Sequence, residues 1–282
     1  MFDWQKPLDR DPVEVRHIIG TIDSEEPSRD LNIVWCWGID KDHAMGIHQY
    51  DWAMDLFVNK LLPQVPRVTA QQTMHFPTQA QWDSADLVVF YQGMDRHWGE
   101  NEYAQIDAFQ ARGGGLMFLH LALLQADGAA LAERIGLAFG FGDAPNGGTK
   151  YGVLPTPVTL TDAATESPIF AGFPRELEMV DELYWNLRGD PASVTTLVTS
   201  QAGPEFATPA PPQPEDLDGN EWPVMWTREV GDGRVFATVG GHNYFSFNDP
   251  HFRIILLRAM AWAMHEDADP YMKLISLEAA VR

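Results

Sequence analysis

The sequence predicts an α/β fold in which a mostly parallel sheet is covered by helices on both faces. Apolar runs alternate with stretches of helical spacing through the first half of the chain, which is typical of a doubly wound sheet. The run Leu116–Leu119 is apolar throughout, as expected for a central strand buried on both faces. His120 follows it directly. Ligands of such sheets bind at the carboxyl ends of the strands, so His120 is a candidate site residue.

The remaining elements follow from apolar runs, helical spacing and turn residues. Residues 1–30 are polar and are predicted to form an N-terminal extension with little regular structure, followed by an α/β domain over 31–266 and a tail over 267–282. In the first half we predict strands at 31–37, 67–74 and 87–91 and helices at 50–62, ended by Pro63, and 100–112. In the second half we predict a helix at 128–137, strands at 158–161 and 195–199, a surface excursion at 204–220, a hairpin of 223–227 with 234–239, and a helix at 250–265.

Composition excludes several classes of protein. The chain of 282 residues carries a formal net charge of -21, which argues against nucleic acid or an anionic membrane as a partner. No apolar run approaches the roughly 18 residues that span a bilayer, and the first residues lack a signal-peptide pattern. The single cysteine, Cys36, leaves no intrachain disulfide. We therefore expect a cytoplasmic protein; a homodimer is left open.

Two predicted strands end in a histidine. His120 follows the central strand, and His242 follows the second strand of the hairpin after Gly240 and Gly241. A histidine at a strand end can act as a general acid or base or as a metal ligand, because its pKa lies near neutrality. Each could also be a satisfied structural histidine. Their position at one edge of one sheet favours a catalytic role.

The segment Asp181–Tyr184 supplies a candidate acid. Adjacent side chains on an extended segment point to opposite sides, so only one of Asp181 and Glu182 should face a pocket directly. We predict Glu182 as the catalytic acid or base, with Tyr184 on the same side, and Asp181 as a neighbouring substrate contact. The alternative is a pair of surface acids.

Two loops open on the same edge of the sheet as His120. His43 and His48 follow the first strand, and Asp95 and His97 follow the third. We predict that these four residues contact substrate, with Trp37 and Tyr244 as aromatic walls. Several histidines and acids together also suit zinc or manganese, and the ligands would then be His48, His120 and His242. No HExxH spacing supports a metal, and loop histidines are often merely exposed.

An ordered set of motifs resembles the trehalose-utilisation, ThuA-like family. The motifs are residues 113–120, 167–173, 181–184, 223–227, 231–236 and 241–242. This resemblance implies a flavodoxin-like three-layer α/β/α sandwich, similar to class I glutamine amidotransferases. Their nucleophilic cysteine would stand where this chain has His120, so glutaminase activity is not expected. The chain departs from the family pattern at the apolar segment 121–124 and at Ser167, where relatives carry a histidine.

The resemblance also implies a small-molecule carbohydrate as the partner. The family is associated with the use of trehalose and related disaccharides, often beside dehydrogenases that form 3-keto sugars. Our first hypothesis is an enzyme that isomerises or cleaves a disaccharide or keto-sugar by acid/base chemistry, using His120, Glu182 and His242. The alternative is a non-catalytic domain that binds a sugar or a partner protein.

Overall fold

The computed structural model of the protein describes residues 8–43, 45–93, 97–141, 148–154, 156–201 and 219–275. Its helices are α1 (Pro12–Ile19), α2 (Tyr50–Met54), α3 (Gln79–Ser84), α4 (Glu100–Ala111), α5 (Gly128–Ile135), α6 (Asp162–Glu166), α7 (Pro250–Ala263) and α8 (Asp269–Met272). α2 continues as a π-helix over Asp55–Leu61, which together match the single helix predicted there.

The strands of the first half of the chain are β1 (Leu31–Trp37), β2 (Val68–Met74), β3 (Leu87–Tyr91), β4 (Gly115–Leu119), β5 (Leu137–Ala138) and β6 (Lys150–Val153). Those of the second half are β7 (Val158–Leu160), β8 (Glu176–Leu177), β9 (Glu182–Trp185), β10 (Arg188–Gly189), β11 (Thr195–Gln201), β12 (Glu221–Val230) and β13 (Gly233–Thr238).

Nine of the strands form one sheet in the order β2-β1-β3-β4-β13-β12-β11-β7-β8. The first five strands of that order are parallel to one another. Each of the remaining four is antiparallel to the strand before it in the order. The sheet is therefore mostly parallel, as predicted. Because β4 and β13 are parallel neighbours, the residues that follow them emerge at the same edge.

Helices cover both faces of the central strands. A Cβ atom on Gly114 would collide with the Phe109 ring of α4, and one on Gly115 would collide with the carbonyl group of Ala263 in α7. Successive residues of an extended chain point to opposite faces, so α4 and α7 lie on opposite sides of the sheet. Every residue of β3 and β4 is buried. This is the three-layer arrangement expected from the sequence.

The first thirty residues contain more regular structure than predicted. Asp11 caps α1 by accepting a hydrogen bond from the Val13 amide, and the helix buries Val15 and Ile18 against the core. The Arg258 side chain of α7 donates to the Ile18 carbonyl group at 2.6 Å. The sequence does indicate this helix, because Asp11 and Pro12 suit a helix start and the apolar residues Val15 and Ile18 follow three positions apart.

The segment predicted as a tail also packs on the domain over its described part. α8 buries Tyr271 and Met272 in the core. The division of the chain at residues 31 and 266 stays a prediction. In the described ranges, the structure has no helix with the length and apolarity needed to cross a bilayer.

Candidate functional site

Three histidines from distant parts of the chain meet at the carboxyl edge of the parallel strands. His120 directly follows β4, and His242 follows β13 after a short glycine turn. His48 ends the loop after β1, and its amide donates to the His242 carbonyl group at 3.0 Å. A backbone bridge between Ile47 and Asn243 continues this contact. The loops after β1 and β13 are thereby joined above the end of β4.

The imidazole rings approach closely enough for their nitrogens to share one small ion or one proton. Nε2 of His48 lies 2.9 Å from Nε2 of His120. Nδ1 of His242 lies 3.1 Å from the first of these atoms and 3.3 Å from the second. His48 and His120 are buried, whereas His242 is partly exposed. We call these three residues the histidine cluster.

The outer nitrogens of two rings are fixed by acceptors. Nδ1 of His120 donates to the Val239 carbonyl group at 2.8 Å. Nδ1 of His48 donates to the Asp40 carboxylate, which also accepts from Nδ1 of His43 at 2.7 Å. In the neutral form, each of these two rings then presents an unprotonated Nε2 to the cluster. This is the orientation of histidine ligands whose far nitrogen is held by a carboxylate or a carbonyl group.

Two of the three histidines have left-handed backbone conformations. φ is +50° at His48 and +54° at His120, a region that side chains other than glycine enter at some cost in conformational energy. Such strain at a strand end is typical of residues that the surrounding structure holds for chemistry. Gly241 has φ +118°, and its carbonyl group accepts the Tyr91 hydroxyl at 2.6 Å.

Glu182 on β9 borders the cluster. Its Oε2 atom lies 3.1 Å from Nδ1 of His242 and accepts the Tyr184 hydroxyl at 2.8 Å. Burial alone would raise the pKa of Glu182, but the hydrogen bond and charge of His242 and the bond from Tyr184 bring that pKa below its usual value. Burial raises the pKa of Tyr184. Glu182 is therefore a carboxylate at neutral pH, and Tyr184 keeps its proton.

The histidines respond differently to their surroundings. Burial, with the charge of His242 as the next cause, lowers the pKa of His48 to about 4. Burial and the other two histidines also lower the pKa of His120. Burial would lower the pKa of His242 as well, but its pairing with Glu182 raises it. Without a bound ion, the proton of the cluster therefore belongs on His242.

Asp181 lies beneath the cluster and does not reach the pocket. Its carboxylate is buried and accepts the amides of Gly241 at 2.9 Å and His242 at 3.0 Å, as well as that of Glu182 at 2.9 Å. Burial raises the pKa of Asp181, and the bonds from the backbone lower it in part. The predicted substrate contact of Asp181 does not fit this placement, since backbone amides occupy its oxygens. Asp181 holds the turn that carries His242.

A cavity of about 680 Å³ opens beside the cluster, within the usual size range of ligand pockets. Glu182 and His242 line this cavity, as does Val153 of β6, which pairs with Glu182. The other lining residues come from the loop after β1 and the segment after β13: Met45, Gly46, Ile47, Gln49, Asn243, Tyr244 and Phe245. His48 and His120 lie behind His242, so a ligand would reach the cluster from the Glu182 side.

The structure brings some of the other predicted site residues to the pocket and not others. Tyr244 lines it, and Tyr184 supports Glu182 from behind. His43 is held by Asp40 outside the pocket. Trp37 does not line this pocket: its indole N–H donates to Gln72 on the edge strand β2 at 2.6 Å, and its contact with substrate stays a prediction. His97 is exposed with no described contact to the cluster, and Asp95 lies outside the described residues.

Sequence reasoning missed Asp40 as a site residue. Its buried side chain orients two histidines, and a carboxylate three residues before His43 was the available signal. It also missed Tyr50, whose ring stacks on that of His48 with centroids 5.7 Å apart. No local pattern marks such a contact, because Tyr50 reads as an ordinary apolar position of α2.

Comparison with known proteins identifies close matches in fold. The sequence profile of the ThuA family, described as trehalose utilisation, matches residues 40–263. A ThuA-like protein from Parabacteroides merdae superposes with a TM-score of 0.64 at 20% identity, covering 84% of this chain and 90% of that one. A ThuA-like protein from Bacteroides uniformis gives 0.62 at 13% identity, covering 86% and 95%. Among functionally curated proteins, none matches the sequence.

Proposed function

This chain belongs to the ThuA family, described as trehalose utilisation, and on that premise we propose that it is a metal-dependent enzyme acting on a disaccharide or keto-sugar. The observation that carries the proposal is the contact between the two unprotonated Nε2 atoms of His48 and His120 at 2.9 Å. Two acceptors at this distance repel each other unless a cation or a donated proton lies between them. His242 completes the set of three nitrogens.

The donor set fits a divalent ion. Ligand nitrogens of a tetrahedral zinc ion at about 2.0–2.1 Å lie about 3.3 Å from one another, and those of a larger octahedral ion at right angles lie about 3 Å apart. The separations in the cluster are 2.9, 3.1 and 3.3 Å. His48 and His120 already have their outer nitrogens held by Asp40 and Val239, as ligand histidines require. Zinc and manganese both suit this set.

The acid/base chemistry is assigned to Glu182. In a 3-keto sugar the C–H bond next to the ketone is acidic, and the Glu182 carboxylate, which lines the pocket, would take that proton. A bound divalent ion would polarise the ketone oxygen and stabilise the developing enolate. Return of the proton from Glu182 to the former ketone carbon isomerises the sugar, with the hydroxyl proton of the adjacent carbon passing to the former ketone oxygen. Expulsion of the glycosidic oxygen, with the proton delivered to it, cleaves the sugar.

Tyr184 and Asp181 support Glu182 without touching the sugar. The Tyr184 hydroxyl donates to Oε2 of Glu182 and keeps this carboxylate oriented. Asp181 points to the opposite side of the strand and holds the His242 turn. Among the described residues that line the pocket, Glu182 is the one carboxylate, which suits a single proton transfer.

Metal analysis with proton exchange tests the proposal. The purified protein is treated with chelator and then with zinc or manganese, and we expect it to bind one ion. His120→Ala should not bind the ion, whereas His17→Ala, a change at an exposed histidine, should bind it like the wild type. With 3-ketotrehalose in deuterated water, the loaded protein should exchange the proton next to the ketone, and Glu182→Gln should bind metal without exchange. A wild-type protein that takes up no more metal than His120→Ala contradicts the metal site.

The same experiment decides against the alternative interpretation. A non-catalytic sugar-binding domain would bind 3-ketotrehalose or trehalose saturably with no exchange and no product. The departure at Ser167 is the feature that favours this alternative; in this chain Ser167 caps the short helix Pro168–Phe170 through the Ile169 amide. Exchange that is unchanged in Glu182→Gln would refute the role given to this residue.

A further inference from the structure

A small two-stranded sheet places an aromatic ring on the same face as Glu182. In the antiparallel pair β6–β9, Val153 lies opposite Glu182 and Tyr151 lies opposite Tyr184. Directly paired residues, and residues two apart on one strand, point to the same face. These four side chains therefore lie on one face, and Val153 and Glu182 of this face line the pocket. Tyr151 is the diagonal neighbour of Glu182, and such neighbours lie about 7–8 Å apart, which is less than the length of a disaccharide.

Tyr151 is the outer ring of an aromatic stack. Phe139 and Tyr184 stack with centroids 4.2 Å apart and an interplanar angle of 11°, and Tyr184 and Tyr151 stack at 5.6 Å and 23°. Phe139 is fully buried and Tyr184 nearly so, whereas Tyr151 is 37% exposed. Phe141 meets Tyr151 edge-on at 6.2 Å and is itself 39% exposed. The stack fixes the Tyr151 ring before any ligand arrives.

We propose that Tyr151, supported by Tyr184 and Phe141, is the subsite for the second pyranose ring of a disaccharide whose first ring reacts at Glu182. This inference rests on the proposed function and adds the side chain that would hold the second ring, so that a two-ring glycoside binds in preference to a free monosaccharide. The C–H face of a pyranose packs on an aromatic ring, and a ring that is already immobilised loses little entropy on binding. Two exposed rings are too small an area for a protein partner, which needs about 800 Å² per side.

The experiment compares two substrates in three proteins. KM and proton exchange are measured with 3-ketotrehalose and with 3-ketoglucose for the wild type, Tyr151→Ala and Tyr151→Phe. Tyr151→Ala is expected to raise KM for 3-ketotrehalose about five- to tenfold, the value of an aromatic contact, and to change KM for 3-ketoglucose less than about twofold. Tyr151→Phe keeps the ring and should resemble the wild type with both sugars.

The outcomes separate this inference from the function on which it rests. The subsite is refuted if Tyr151→Ala raises KM equally for both sugars, or if the wild type prefers 3-ketoglucose. The proposed function stands in either case. A wild type that exchanges a proton in neither sugar and binds neither overturns both. Thermal unfolding of Tyr151→Ala controls for folding, because the Tyr151 ring also packs on Tyr184. Should that variant unfold, Phe141→Ala supplies the same comparison, with a smaller selective loss expected.

Discussion

Nε2 of His48 and Nε2 of His120 face each other at 2.9 Å, while each ring donates its other N–H away from the contact. A proton on Nδ1 of His242 is shared between these two nitrogens and the Glu182 carboxylate, whereas a divalent ion would engage all three ring nitrogens. The two states differ in what the outer acceptors do. With a proton the acceptors only fix tautomers, and with an ion they also raise the basicity of the ligands. Substitutions of the acceptors therefore distinguish the two states.

Replacing Asp40 by asparagine is expected to weaken metal binding about 10- to 100-fold, the usual loss when a partner of a ligand histidine is changed. The carboxylate accepts N–H groups from both His48 and His43, and a neutral amide accepts more weakly. Competition with a zinc chelator measures the affinity. Asp42→Asn, an exposed acid in the same loop, is the matched control and should bind like the wild type. Equal affinity in the two variants would contradict the role of Asp40.

The neighbouring acids Asp181 and Glu182 should respond in opposite ways to loss of charge. Asp181→Asn places an amide NH₂ group against a backbone donor and is expected to cost about 1–3 kcal/mol of unfolding free energy. Glu182→Gln, at the edge of the pocket, should change stability little and abolish proton exchange. Denaturant unfolding and the exchange assay measure the two effects. A stable Asp181→Asn variant would show that the turn does not depend on the carboxylate.

Gly241 is expected to tolerate no side chain. With φ at +118°, Gly241→Ala should destabilise the fold by about 1–3 kcal/mol and disturb the turn that carries His242. Gly231→Ala is the control, because φ there is +60°, a conformation that other residues can adopt, and open space surrounds the new methyl group. Gly231→Ala should lower the free energy of unfolding by no more than about 1 kcal/mol. Thermal melting compares the two, and similar losses would argue against special strain at Gly241.

His251 on α7 should make the fold sensitive to acid. Burial, with the charge of Arg10 as the next cause, lowers the pKa of His251 from 6.5 to about 4. Within the described chain, neither ring nitrogen has a hydrogen-bond partner, and Glu14 lies 3.9 Å away. The other charges facing the ring are Arg10 and Asp249, which pair with each other at 2.6 Å. Between about pH 4 and pH 6.5, the buried ring is therefore neutral, whereas an exposed histidine would be protonated.

The direction of this pH dependence follows from proton binding. Below pH 6.5, His251 binds a proton in the unfolded chain but stays neutral in the folded protein. The free energy of unfolding is therefore highest above pH 6.5 and decreases as the pH falls towards about 4. The full loss is about 3 kcal/mol. His251→Phe, similar in size and uncharged, should flatten the part of the stability profile between those pH values. Superimposable profiles of the two proteins would refute the assignment.

The strand-end histidines could be predicted because the argument needs only the sheet. An apolar run that stops at a histidine, twice, places both residues at one edge if the strands are parallel neighbours, and β4 and β13 are. The alternation of side chains on a strand likewise separated Asp181 from Glu182. Both inferences use a period that the backbone imposes on any sequence.

Other parts of the site depend on contacts that no local pattern records. Trp37 is the last residue of its strand, much as the histidines follow theirs. Its indole N–H nevertheless donates to Gln72 on the edge strand and not to a group of the pocket. The pairing of β6 with β9, which brings Val153 opposite Glu182, joins segments about thirty residues apart in a sheet of its own. Asp40 contributes through a buried side chain in an otherwise polar loop. Such features follow from tertiary packing, which sequence periodicity does not specify.

The backbone bond from His48 to the His242 carbonyl group closes a loop of 194 residues. No fragment of the chain that ends before β13 contains the three nitrogens, because His242 follows that strand. A shorter chain therefore offers at most two of the three histidine ligands proposed here. The proposed ion would therefore find its complete set of ligands only after β13 has joined the central sheet beside β4.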